Sequence, residues 1–196
     1  IGYVGIGEYD VSKNRVVSDI YKTWQRMLQR CYDKNYQKKQ PTYIGCSVCV
    51  DWLCFQNFAK WYENNYYECK GEKMQLDKDI LVKGNKIYSP ETCVFVPKRI
   101  NTLFTNKKEN RGECVIGVEK LPNGTYRPRC NVFDEKENKY KGIHLGVYKT
   151  EERAFYIYKK FKENYIKQVA DEYFQLDLIP EKLYWAMYWW EVDIND

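Results

Sequence analysis

The sequence predicts an α+β fold made of two modules and a short tail, and three observations point to it. Amphipathic helical stripes fill the first third of the chain. A strand–strand–helix block follows at residues 74–101. Three short alternating strands then lead into a long helix. The polar, charged stretch Thr105–Arg111, with Asn106, Lys107, Lys108 and Asn110, marks the boundary between the modules. The expected division is residues 1–107, 111–174 and an aromatic helical tail at 175–196.

Residues 18–31 read as a helix, because Ile20, Trp24, Met27, Leu28 and Cys31 recur at three-to-four spacing. A Lys-rich loop with Lys34, Lys38 and Lys39 precedes Pro41. Residues 51–64 form the next amphipathic helix, with Asp51 as N-cap and Trp52, Phe55, Phe58, Ala59 and Tyr62 on the apolar face. Leu76–Leu81 and Cys93–Val96 are strand-like and flank a Gly84-Asn85 turn. Pro97 starts a short helix through Ile100, Leu103 and Phe104, since proline suits a first helical turn.

In the second half, residues 114–120, 125–133 and 140–148 read as strands. They are separated by Pro122-Asn123-Gly124 and by the charged turn Asp134–Lys139. A helix runs from its N-cap Thr150 to about Tyr173, with Ala154, Tyr158, Phe161, Tyr165 and Val169 as its buried stripe. Pro180 closes this region, and an aromatic helix at Tyr184–Trp190 follows. Packing of that tail on the body is the favoured expectation, and homodimerisation through it the alternative.

Composition sets the outer limits. A chain of 196 residues that is 44% hydrophobic can bury a core, and a net charge of +5 is compatible with a polyanionic partner without requiring one. Eight cysteines in a chain of this length, with no signal-like start, read as reduced, buried thiols of an intracellular protein. Cys46-Ser47-Val48-Cys49 has zinc-ligand spacing, but no second such pair accompanies it, so structural zinc is not expected. No stretch approaches the roughly 18 apolar residues of a membrane span. The start at Ile1 without Met leaves room for a few preceding residues.

The block MQLDKDILVKGNKIYSPETCVFVPKRIN carries the sharpest chemistry. It sets acidic residues on a first strand and an Asn on the helix that follows, an order that lets a carboxylate and an amide converge on one divalent ion beside a phosphodiester. On these residues the block resembles the HNH, or ββα-metal, nuclease motif of small phage endonucleases. The resemblance implies metal binding by Asp77 and Asn101 and places Lys78 where the family has its general-base His. Thr92 falls at the family's middle Asn. Asp79, one pleat beyond Asp77, points to the same face and could add another oxygen ligand. Lys78, Asp79 and Tyr88 are then the catalytic candidates, with magnesium or manganese as the ion.

Alternation through 125–133 sends Tyr126, Pro128, Cys130 and Val132 to one face and Arg127, Arg129, Asn131 and Phe133 to the other. Arg suits guanine and Asn suits adenine in a major groove entered by a sheet. The segment IGVEKLPNGTYRPRCN…IHLGVYKTEERAFYIY resembles the ethylene-response-factor-type DNA-binding domain. It shares Gly117-Val118, Tyr126, Leu145-Gly146, Tyr148 and Thr150-Glu151-Glu152-Arg153-Ala154. That resemblance places Ile116, Glu119, Leu121, Asn123, Arg129, Asn131, Gly142 and the sole histidine, His144, toward DNA.

Together the two resemblances imply a phage-encoded, homing-type endonuclease acting in the bacterial cytoplasm on double-stranded DNA. Its DNA contacts would be Arg99, Arg127, Arg129, Asn131 and His144, with basic residues of 98–111 on phosphates. Lys at position 78 instead of His also leaves open a non-catalytic DNA-binding regulator. An interaction or virion component using the aromatic tail is a third expectation.

Overall fold

The computed structural model describes residues 1–69, 71–105 and 113–196, so most of the expected boundary segment, including Asn106, Lys107, Lys108 and Asn110, lies outside the described residues. The chain separates into two compact units, Ile1–Asn101 and Thr102–Asp196, and its helices and small sheets make it a mixed α+β protein.

The first unit begins with a small hairpin of β1 (Ser12–Lys13) and β2 (Val16–Val17), turned by Asn14 and Arg15 at φ of 51° and 64°. Two consecutive left-handed residues match the twist of the flanking strands. Helix α1 (Asp19–Tyr32) starts where Ser18 Oγ accepts the N–H of Tyr21 at 3.2 Å. It buries Trp24, Met27, Leu28 and Cys31, as its spacing predicts. Helix α2 (Lys34–Lys39) follows, capped by Asp33, and then β3 (Ser47–Val48).

The second long helix begins later than its periodicity predicts. Val50–Leu53 is a 3-10 turn, and α3 covers Phe55–Asn65 with Cys54 at its cap, so Asp51 is not an N-cap. The cause is a backbone pairing: Tyr3 donates to Leu53 O and accepts from Phe55 N, both at 2.9 Å, and this holds residues 53–55 extended. Trp52, Phe55, Phe58 and Ala59 still reach the core, where Trp52 and Phe58 meet edge to face at 5.1 Å.

Strand β4 (Met74–Asp77) is short. After it come β5 (Ile87–Tyr88), β6 (Val94–Pro97) and helix α4 (Lys98–Phe104). Strand β4 pairs antiparallel with β6, placing Gln75 opposite Val96 and Asp77 opposite Val94. Strand β5 pairs in parallel with β3, so the Gly84-Asn85 turn closes a loop rather than a β4 hairpin.

In the second unit, β7 (Val118–Lys120), β8 (Tyr126–Asp134) and β9 (Lys139–His144) form an antiparallel sheet with β8 in the middle. Helix α5 (Glu151–Gln175) packs across β7 and β8, with Thr150 Oγ1 accepting the N–H of Arg153 at 3.3 Å as its cap. Pro128 and Cys130 point into this layer, where Tyr158, Phe155 and Phe161 meet them. Gly117, at φ 72°, lies against the Tyr158 ring so closely that a Cβ would enter it. Helix α6 (Glu181–Tyr188) starts directly after Pro180, three residues earlier than expected, and buries Leu183 and Met187.

Candidate nucleic-acid interface and metal centre

Asp77 ends β4 because its carboxylate folds the chain back on itself. One carboxylate oxygen accepts the N–H groups of Asp79 and Ile80, each at 2.7 Å. A short acidic side chain that captures the two following amides makes a tight turn. Asp79 is therefore not one pleat beyond Asp77 on a continuing strand; the strand stops at Asp77 and Asp79 lies in the bend. Burial pushes the Asp77 carboxyl above the usual carboxylate range, against the two amides that favour its anion.

Lys78 turns inward and is only 4% exposed. Its ammonium ion-pairs with Asp79, donates to the Asn85 carbonyl at 2.9 Å, and lies 5.8 Å from the centre of the Tyr88 ring. Asn85 returns a bond from Nδ2 to the Lys78 carbonyl at 2.8 Å and also holds Ile87 O at 2.7 Å. The ammonium is thus the clasp of the loop between β4 and β5.

Tyr88 is 1% exposed, and its hydroxyl accepts from Arg30 at 3.4 Å. Burial raises its pKa, so the phenol stays protonated. Neither Lys78 nor Tyr88 presents its polar atom to a nucleic-acid backbone in this conformation.

Arg30 was not singled out from the sequence. It stands three residues after Met27, at the edge of the α1 stripe, and lies 5.3 Å over the Tyr43 ring. A cation bordering an apolar stripe beside several tyrosines was the only available signal.

Helix α4 is tied to the start of β4. The N–H of Lys98 donates to Lys73 O at 2.9 Å and that of Arg99 to Glu72 Oε2 at 3.2 Å. Asn101 Nδ2 donates to Gln75 Oε1 at 2.6 Å. Gln75 and Asp77 are two residues apart on β4 and share a face, so Asn101 is anchored about 7 Å along the strand from Asp77. Thr92, at the middle position of the resembled motif, instead closes its own turn by donating to Ile87 O at 2.8 Å.

A carboxylate and an amide oxygen are hard donors, and a partly buried anion is one that a cation stabilises. Magnesium and manganese take hard oxygen donors of this kind, while one Asp77 oxygen already accepts two backbone N–H groups and the Asn101 amide is bonded to Gln75. The Asp79 carboxylate is engaged with Lys78. Among the described residues, no group of three or more His, Cys, Asp or Glu is placed to hold a metal, and all eight cysteines are free thiols.

The exposed face of the second-unit sheet brings the other candidates together. Arg127 lies opposite Glu119 and pairs with it at 2.8 Å, which holds the Glu119 carboxyl below its usual range. Arg129 lies opposite His144, and Asn131 opposite Gly142. Arg129, Asn131 and His144 are exposed, while Pro128 and Cys130 on the reverse face are buried. Phe133 and Tyr140 close one end of this face at 5.2 Å. Ile116, expected toward DNA, packs instead on the Cys130–Tyr158 core.

Elsewhere in the unit the aromatic tail is partly spent on packing. The Tyr184 ring stacks on Phe174 at 4.4 Å and its hydroxyl reaches Asp171 at 3.0 Å, while Trp185 and Trp189 stay exposed. No helix of the described residues is long and apolar enough to cross a membrane. In comparisons with known proteins, no family model, curated protein or solved structure matches the chain.

Proposed function

We propose that this chain is a DNA endonuclease of the HNH type: it recognises double-stranded DNA with the β7–β9 sheet and hydrolyses the DNA backbone at the Asp77–Asn101 centre. The observation that carries the reading is the two-sided sheet. Its inner face is consumed by α5, and its outer face gathers Arg129, Asn131 and His144 around a strand position with no side chain. Exposed donors and acceptors of this kind match base edges in a major groove, while phosphate contacts set affinity and register.

For cleavage, Asp77 and Asn101 would hold a magnesium or manganese ion, which when bound supplies a Lewis acid and an activated water. In support, the Asp77 turn and the Asn101–Gln75 bond each restrain one of these two side chains. Lys78 and Asp79 keep the adjoining loop closed, and Arg99 stands on the first turn of the same helix as Asn101.

One observation favours a second reading, a DNA-binding regulator without catalysis: the residue at the general-base position is buried and engaged. Both readings require DNA binding. Titration of a fluorescent duplex at increasing salt tests this requirement, with affinity expected to fall steeply and linearly on logarithmic axes. Salt-insensitive or absent binding would remove both.

A further inference from the structure

Arg129 does not stand away from the sheet. Its guanidinium lies diagonally across β9, over Gly142, rather than against its direct partner His144. A Cβ at position 142 would collide with Arg129 Nε and would lie 2.5 Å from Nη2 and 2.7 Å from Cζ. The glycine backbone is not in the left-handed region, so nothing in the strand conformation calls for glycine there. What occupies the space of a Cβ there is the Arg129 side chain lying on top.

Asn131 is the direct cross-strand partner of this same glycine. The fork of Arg129 therefore lies over the β9 position that Asn131 faces in register. Arg127, the other arginine of β8 on this face, is held aside by Glu119.

We infer that Gly142 is a specificity-determining residue: its missing side chain is the seat that orients Arg129 beside Asn131 as a paired reader of neighbouring bases. This rests on the proposed DNA-reading role of the sheet. A guanidinium lying flat in a fixed plane can present two parallel donors to one guanine, whereas one displaced by a methyl group keeps its charge but loses its orientation. Only the far end of a flexible side chain has to move when position 142 gains a Cβ, so the change leaves the sheet intact.

The test is selection of bound duplexes from a randomised DNA pool by the full chain, by Gly142→Ala, by Arg129→Ala and by the double variant, with thermal melting of each. The wild type is expected to enrich a motif containing a guanine. Gly142→Ala is expected to lose roughly tenfold or more of the preference for that guanine. It should retain its melting temperature and its binding to unselected duplex. The double variant should discriminate no worse than Arg129→Ala, because the glycine acts only through the arginine.

An unchanged motif in Gly142→Ala, while Arg129→Ala degrades it, overturns the inference and leaves the DNA-reading role standing. A wild type that binds no duplex overturns that role itself, and the inference with it.

Discussion

Lys78 and Asn85 hold each other twice: the lysine ammonium donates to the Asn85 carbonyl at 2.9 Å, and the Asn85 amide donates to the Lys78 carbonyl at 2.8 Å. This reciprocal pair closes the loop that follows the candidate metal-binding strand. Lys78→Ala should therefore destabilise the first unit by roughly 2 kcal/mol or more, since it leaves a carbonyl unpaired and a void among buried groups. Chemical denaturation of the two proteins checks this. A stability change below a few tenths would show that the ammonium does no structural work.

Gly117 approaches a buried ring in the second unit. Its φ of 72° and the Tyr158 ring against it both exclude a side chain. Gly117→Ala is expected to cost at least about 2 kcal/mol, more than the gain usual for a glycine-to-alanine change at an ordinary site. Thermal melting and loss of duplex binding should follow together, since the sheet rests on α5.

Lys162 on α5 is largely covered, and burial lowers its pKa from the ordinary 10.5. A lysine depressed in the folded state weakens the fold wherever it must remain charged, and that cost disappears as pH rises past the unfolded-state value. Lys162→Met should thus raise the melting temperature near neutral pH, with an advantage that fades as pH rises toward about 10.5. Melts across that range decide it, and an advantage that grows with pH would contradict it.

If the sheet reads DNA as proposed, the Arg127–Glu119 pair works against binding, because it neutralises one arginine and offers a carboxylate to phosphate. Glu119→Gln should tighten duplex binding and steepen the salt dependence by about one counterion. The measurement is anisotropy at several salt concentrations; weaker binding would mean that Glu119 contacts a base directly.

Much of the architecture was legible in the residues. The α1 stripe, the alternation of β8 and the Thr150 cap are local signals that the fold obeys, because each buries or satisfies groups within a few residues. The departures arise from partners distant in sequence. Tyr3 delays α3 by pairing with residues 53–55, and β3 draws β5 into a parallel pairing that no turn signal encodes.

At the candidate site, the acidic cluster was visible but not its division of labour. A self-capturing aspartate and an alternating strand look alike in three letters, so Asp79 was expected on a strand that Asp77 in fact ends. The role of Gly142 was equally hidden, since a strand glycine signals close approach without naming the side chain that approaches.

The most direct measurement is incubation of supercoiled plasmid with the full chain and manganese, alongside Asp77→Ala and Asn101→Ala. Nicked or linear product from the wild type, abolished in both variants while duplex binding persists, is the expected result. Intact plasmid with binding preserved, or product undiminished in Asp77→Ala, would contradict cleavage at this centre.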